Sequence, residues 1–127
     1  MSECVLDASA LLAMLQGETG SEVVLRHAAE SWISATNMAE VYGKLLTRGL
    51  PRELAIEMAF GGVKGVVAFN DGQARLTAEL LQQTRALGLS LGDRACLALG
   101  IQRKLPVLTA DKAWKALRVG VEIRVIR

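Results

Sequence analysis

Residues 4–15 read CVLDASALLAML, a short apolar run, then an acidic residue, then an apolar segment with helical spacing. Residues 3–7 predict a short buried strand, and residues 8–15 predict a helix that ends at Gly17. The same order of apolar strand and amphipathic helix recurs along the rest of the chain. Alternating strands and helices predict an α/β sandwich with a mostly parallel sheet.

The remaining elements follow from apolar periodicity, glycine stops and capping residues. Strands are predicted at residues 31–35, 66–69, 106–109 and 122–126. A second helix, capped by Thr19 or Ser21, is predicted through about residue 29, and further helices are predicted over 37–48, 51–60, 71–87, 90–103 and 111–117. The helix over 71–87 is expected to end at Gly88. Its predicted inward-facing residues are Leu76, Leu80, Leu81, Thr84 and Leu87. Because no linker divides the chain, residues 1–127 are expected to form one domain.

Composition indicates a globular protein that covers some of its apolar surface with a partner. Hydrophobic residues make up 51% of the chain and charged residues 22%, and the mean hydropathy is +0.30. No run approaches the roughly 20 apolar residues of a membrane span. The N-terminus lacks the pattern of a secretory signal. Two cysteines without metal-type spacing indicate reduced thiols in a cytoplasmic protein.

Charge is unevenly distributed along the chain. The net charge is +2, with −4 in residues 1–60 and +6 in residues 61–127. A basic second half suits a polyanionic substrate, although charge alone favours an ordinary solvated surface.

Four acidic residues carry the functional prediction. Asp7 ends the first strand, Asp111 follows the fourth, and Glu40 and Asp93 lie near the starts of helices. In parallel α/β sheets, ligands bind at the carboxyl ends of the strands, so the four carboxylates are expected to converge there. Helix capping is the alternative for each acid taken singly, since residues 37–40 and 90–93 both resemble capping boxes. Carboxylates that do converge need a cation to neutralise them.

The candidate ligands are all oxygens, which favours Mg²⁺ or Mn²⁺. His27, the sole histidine, lies in a predicted helix away from the acidic motifs, and there is no Cys/His cluster for zinc. One or two ions at such a site predict phosphodiester hydrolysis by metal-activated water.

Four segments of the sequence resemble the signature segments of a known family. They are VLDASALLAML (5–15), TNMAEVYGKL (36–45), LSLGDRACLALG (89–100) and VLTADKAW (107–114). Together, in this order, they are similar to the PIN domain family, and within it to VapC-type toxins of bacterial toxin–antitoxin systems. The resemblance covers nearly the whole chain.

The resemblance implies a three-layer sandwich around a mostly parallel, five-stranded sheet. It implies a Mg²⁺-dependent endoribonuclease, the toxin of a type II toxin–antitoxin system, that cleaves structured RNA such as tRNA or rRNA. The four acidic residues match the family's catalytic and metal-binding quartet. Ser9, Asn37 and Thr109 match its supporting polar positions. The implied partners are a cognate antitoxin and a second copy of the chain, as a homodimer.

Three other functions stay open at this point. A phosphatase of the haloacid-dehalogenase type also has an aspartate after its first strand, but it needs a second acid where this chain has Ser9. A PIN-like nuclease of RNA processing would share the chemistry without a toxin role. A non-catalytic PIN-like binding module, or a receiver-like domain, would keep the fold without metal chemistry. Arg94, Lys112 and Lys115 are candidate phosphate contacts or solvated helix ends.

Overall fold

The computed structural model describes residues 2–127 and contains one five-stranded sheet. Its strands are β1 (Cys4–Leu6), β2 (Ser31–Ser34), β3 (Gly65–Val67), β4 (Val107–Thr109) and β5 (Ile123–Val125). The strand order is β3-β2-β1-β4-β5, and each of the four pairings is parallel. The predicted strands and their mostly parallel arrangement are confirmed, although each strand is one or two residues shorter than predicted.

Helices occupy most of the chain between the strands. They are α1 (Ala8–Gln16), α2 (Ser21–His27), α3 (Ala35–Thr47), α4 (Arg52–Gly61), α5 (Asp71–Glu79), α6 (Leu81–Thr84) and α7 (Leu91–Arg103). Short 3₁₀ helices cover Ala28–Glu30, Arg85–Leu87 and Lys112–Ala116. Between residues 2 and 127, no helix combines the length and hydropathy that a bilayer span requires.

Two apolar clusters lie on opposite faces of the sheet. Successive residues of a strand point to opposite faces, and β1 divides accordingly, with Cys4 and Leu6 in one cluster and Val5 in the other. The first cluster is built with α1, α2, α3 and α4. The second is built mainly with α7 and includes Trp114. This arrangement confirms the predicted three-layer sandwich.

The C-terminus of α1 and the N-terminus of α2 test the helix stop and the helix cap predicted from the sequence. α1 ends where Gly17 adopts a left-handed conformation with φ of 65°, as predicted. The predicted cap of α2 is wrong, because the helix begins after Gly20 and neither Thr19 nor Ser21 caps it. Gly20 has φ of 94°, and a Cβ there would lie 2.7 Å from the carbonyl oxygen of Ile126. Both conditions require glycine.

The single helix predicted over residues 71–87 is also wrong, since it is divided into α5, α6 and a 3₁₀ turn. Of the predicted inward-facing residues, Leu80 and Thr84 are buried and Leu76 packs against the second apolar cluster, whereas Leu81 and Leu87 are exposed. α5 packs on α7 through polar contacts. Gln73 donates to the side-chain oxygen of Gln102, and Arg94 Nη1 donates to the Thr77 carbonyl at 2.9 Å.

Candidate metal centre

The acidic residues gather at the carboxyl edge of the sheet. β1, β2 and β4 are neighbours and run parallel, so their carboxyl ends lie side by side. Asp7 directly follows β1, Asp111 lies two residues beyond β4, and α3 carries Glu40 directly from the end of β2. Asp93 lies in the first turn of α7. We call this region, with its four carboxylates, the acidic edge.

Asp7 is the most buried of the four acids, with 4% of its surface exposed. Its Oδ1 accepts hydrogen bonds from the Ala10 backbone N–H and the Ser9 hydroxyl, both at 2.8 Å. Its Oδ2 accepts from the Thr109 hydroxyl at 2.6 Å. The Ala10 bond makes Asp7 the N-cap of α1, so it has the capping role that the sequence offered as an alternative.

Ser9 and Thr109 join the ends of β1 and β4. The Ser9 oxygen accepts from the Ala110 backbone N–H at 2.9 Å, and the Thr109 hydroxyl oxygen accepts from the Asp111 backbone N–H at 3.1 Å. Each hydroxyl therefore donates to the Asp7 carboxylate and accepts from the backbone of the segment that leads to Asp111. The two hydroxyls fix the Asp7 carboxylate relative to that segment.

Burial raises the pKa of Asp7 to about 6, against the hydrogen bonds from Thr109, Ala10 and Ser9, which lower it; the negative charge of Asp93 raises it further. The thiol of Cys96, buried in α7, has a pKa raised well above its usual value. Burial is the main cause, and the negative charges of Asp7, Asp93 and Glu40 add to it. The fields of three of the four acids therefore meet at one buried side chain.

Asn37 connects α3 with α7. It is 1% exposed, and its Nδ2 donates to Glu40 Oε1 at 3.1 Å and to the Gly92 carbonyl at 3.0 Å. Its Oδ1 is buried and has no hydrogen-bond partner among residues 2–127. The predicted capping box over residues 37–40 is wrong, because α3 is capped by Ser34 and begins at Ala35. Glu40 therefore lies in the second turn of α3, and its contact with Asn37 is a side-chain contact.

Asp93 and Asp111 do cap helices. Asp93 and Ser90 form a capping box, in which Asp93 Oδ2 accepts from the Ser90 backbone N–H at 3.0 Å. Asp111 Oδ1 accepts from the Ala113 backbone N–H at 3.0 Å. Capping is therefore confirmed at three of the four acids. It engages one oxygen of Asp93 and one of Asp111, so it is compatible with cation binding.

The chemistry of these donors fits a hard divalent cation. Within the part of the chain that the structure describes, no three His, Cys, Asp or Glu side chains stand at the spacing of a preformed metal site. The donors are carboxylate and amide oxygens, which suit Mg²⁺ that retains several waters. The raised pKa of Asp7 and the unpartnered Asn37 Oδ1 are both features that a bound cation with its waters would relieve. Metal binding by the four acids stays a prediction.

Other residues singled out in the sequence have structural contacts. Trp114 is buried in the second apolar cluster, as expected. Arg94 is half-buried and holds α7 to α5 through the Thr77 carbonyl, which makes it more than a solvated helix end. Lys112 and Lys115 are exposed beside Asp111. Sequence reasoning missed Gly92, whose carbonyl accepts from Asn37.

The fold and its acidic edge define an all-parallel α/β domain with carboxylates at the strand ends. A sequence model of the PIN domain family matches residues 4–120. The chain belongs to the PIN domain family. This membership excludes the dehalogenase-type phosphatase considered above. No curated protein sequence matches the chain.

Several solved structures share the fold. A chain of a toxin–antitoxin complex from Klebsiella pneumoniae superposes with a TM-score of 0.78 at 18% identity, covering 98% of both chains. A chain of DNA-bound VapBC from Salmonella typhimurium gives a TM-score of 0.76 at 16% identity, covering all of both. VapC20 from Mycobacterium tuberculosis, a sarcin–ricin loop cleaving toxin, gives 0.70 at 15% identity, covering 94% of this chain and 98% of the other. At these identities the likeness is one of fold.

Proposed function

We propose that this protein is a Mg²⁺-dependent endoribonuclease that cleaves structured RNA and acts as the toxin of a type II toxin–antitoxin system. The observation that carries the proposal is the buried Asp7 carboxylate, which Ser9 and Thr109 hold by hydrogen bonds and whose pKa the charge of Asp93 helps to raise. A fold that needs no cation would gain by replacing such a carboxylate with a neutral side chain. VapC20, which shares the fold, cleaves an RNA loop.

The residues of the acidic edge have distinct roles in this proposal. A divalent cation bound there would neutralise charge on the scissile phosphate and lower the pKa of an attacking water. Asp7 would be its rigid anchor, with Ser9 and Thr109 fixing the direction of the carboxylate. Glu40, Asp93 and Asp111 would complete the ligand set. His27 ends α2 just before β2 begins, at the opposite edge of the sheet, so the only histidine is not placed to act as a base.

An apolar groove beside the acidic edge supports an antitoxin partner. The groove has a volume of about 280 Å³ and is lined by Ala35, Met38, Ala39, Tyr42, Phe60 and Val66. Phe60 is 45% exposed. Because Ala39 adjoins Glu40, a segment in the groove would lie next to the acidic edge. We propose that a segment of the antitoxin occupies it, in keeping with the toxin–antitoxin complexes that share the fold. A homodimer is proposed as well.

RNA cleavage tests the nuclease. Purified protein incubated with total RNA and Mg²⁺ is expected to cleave, and excess EDTA or the substitution Asp7→Asn should each abolish cleavage. Asp71→Asn is the matched control, since Asp71 is an exposed residue of α5 whose carboxylate pairs with Arg75. Cleavage that persists equally in EDTA and in Asp7→Asn would contradict the proposal.

Growth on expression tests the toxin role. Wild-type protein expressed alone is expected to arrest growth, and Asp93→Asn should relieve the arrest by removing a ligand. Ser90→Ala is the matched control, because it breaks the same capping box at a cost of about 0.5–2 kcal/mol while keeping the carboxylate. Cells with Ser90→Ala should still arrest. RNA cleavage in vitro with normal growth of wild-type cells would favour an RNA-processing nuclease instead.

A further inference from the structure

Gly92 is a glycine that its own backbone does not require. It is the second residue of α7, and it is absent from the glycines with positive φ. Alanine is a better helix former than glycine in such a conformation. The reason for glycine at this position must therefore lie outside the helix.

The space above Gly92 is filled by the Glu40 carboxylate. A Cβ at position 92 would lie 3.0 Å from Glu40 Cδ and 3.2 Å from Oε2, and it would overlap Oε1. By contrast, Gly43 and Gly61 also lie in helices, and a Cβ at either would meet no described atom within 4 Å. Among these helical glycines, Gly92 is the one whose missing side chain makes room for a carboxylate.

Asn37 holds the carboxylate in this space. Its Nδ2 has two acceptors, Glu40 Oε1 and the Gly92 carbonyl, so one buried amide binds both the carboxylate and the backbone beneath it. These two acceptors fix the orientation of the amide and leave Oδ1 as the unpartnered buried atom. Glu40 is otherwise exposed, and an exposed glutamate without such contacts has several rotamers available.

We infer that Gly92 is a positioning residue of the acidic edge: it admits the Glu40 carboxylate, and Asn37 fixes it there. The inference rests on the proposed function for its effect on catalysis. It adds a glycine, which has no side chain, to the residues that position the acids of the acidic edge. It also explains how α3 and α7, which are far apart in sequence, place Glu40 and Asp93 with a fixed separation.

Gly92→Ala should leave the fold intact. The atoms that its methyl group would meet belong to the end of a flexible, exposed side chain, so Glu40 can rotate into solvent. The variant should therefore melt within a few degrees of wild type, while Glu40 leaves its position. Outer contacts that orient a metal ligand typically change metal affinity or activity by about 10–100-fold, and a loss of that size is expected here.

A double-mutant cycle tests whether Gly92 acts through Glu40. The variants are Gly92→Ala, Glu40→Ala and their combination, with Gly43→Ala as the matched glycine control on α3. The measurements are RNA cleavage and the affinity for Mn²⁺ alone by titration calorimetry. Gly92→Ala should lose about 10–100-fold in both, the double variant should equal Glu40→Ala, and Gly43→Ala should equal wild type. If Gly92→Ala lowered cleavage and Mn²⁺ affinity by the same factor in the Glu40→Ala background as in wild type, the inference would be overturned.

A spectroscopic readout separates failure of the inference from failure of the proposed function. In wild type, both side-chain N–H groups of Asn37 are bonded, and Gly92→Ala should shift one of the two amide resonances and leave the other. Unchanged resonances would overturn the inference whether or not the protein cleaves RNA. Wild-type protein that neither cleaves RNA nor binds Mn²⁺ would instead overturn the proposed function, and the amide resonances would still decide the role of Gly92.

Discussion

Asp7→Asn is expected to abolish RNA cleavage and, in the absence of metal, to make the fold more stable at pH 8. Cleavage should fall by more than about 100-fold, because a buried anchoring ligand is lost. Stability should rise because a buried charge is removed while the shape is kept. Asparagine can still accept from the Ala10 N–H, and the Thr109 hydroxyl can turn to accept from the new amide.

The direction of the pH dependence follows from the raised pKa of Asp7. Its pKa is about 6 in the fold, against 3.8 for an unperturbed aspartate. Well below pH 3.8 the carboxyl is protonated in both the folded and the unfolded state and contributes nothing. As pH rises from 4 to 6, the unfolded chain loses this proton first, so wild-type stability falls, and above pH 6 the penalty is constant at about 3 kcal/mol. Asp7→Asn lacks this penalty.

Urea unfolding in EDTA from pH 4 to pH 8 measures the difference. The advantage of Asp7→Asn should be near zero at pH 4 and should approach about 3 kcal/mol at pH 8. Added Mg²⁺ should then stabilise wild type at pH 8 and leave the variant unchanged. Parallel pH curves for the two proteins would show that Asp7 is not a buried anion.

Thr109→Val is expected to destabilise the fold by about 2–3 kcal/mol at pH 8, because a charged acceptor and a backbone donor both lose their partner. Valine has nearly the same shape and suits a strand, so the loss isolates the hydroxyl. The 2.6 Å bond from Thr109 lowers the pKa of Asp7, so the variant should have an Asp7 pKa above about 6. The part of the destabilisation that comes from the Asp7 charge should be lost as the pH falls through about 6, where the folded carboxyl takes up its proton.

The measurements are urea unfolding at pH 4 and pH 8 and a carbon NMR titration of the Asp7 carboxyl. Thr47→Val is the matched control, since the Thr47 hydroxyl makes only an exposed bond to the Gly43 carbonyl of its own helix. That control should change stability by less than about 0.5 kcal/mol. An unchanged Asp7 pKa in Thr109→Val would contradict the role assigned to the hydroxyl.

The sheet was predictable because its signals are local. Apolar runs delimit each strand, and acids that follow strands are visible directly, so the positions of Asp7 and Asp111 could be read from the sequence. The start of α3 could not. Ser34 is both the last residue of β2 and the N-cap of α3, with no loop between them, whereas Asn37 followed by Glu40 offered a stronger local capping pattern.

Long-range contacts account for the other differences. Asn37 finds its acceptor in Gly92, 55 residues away, and no local rule encodes that pair. The helix predicted over 71–87 follows leucine spacing, but α5 also contacts α7 through the Gln73 side chain and the Thr77 carbonyl. Gly92 has one signal in the sequence, since it is a glycine in the first turn of a predicted helix, where alanine has the higher helix propensity. Only the position of Glu40 explains it.

The strand order has a consequence for when the acidic edge is completed during synthesis. β1 is synthesised early, yet it lies at the centre of the sheet. One of the hydrogen bonds to the Asp7 carboxylate comes from Thr109, which is synthesised 102 residues later. A nascent chain that has emerged only as far as α7 therefore carries three of the four acids, but it lacks β4, whose Thr109 orients the Asp7 carboxylate. The hydrogen-bond shell of Asp7 can therefore form only after β4 has been synthesised.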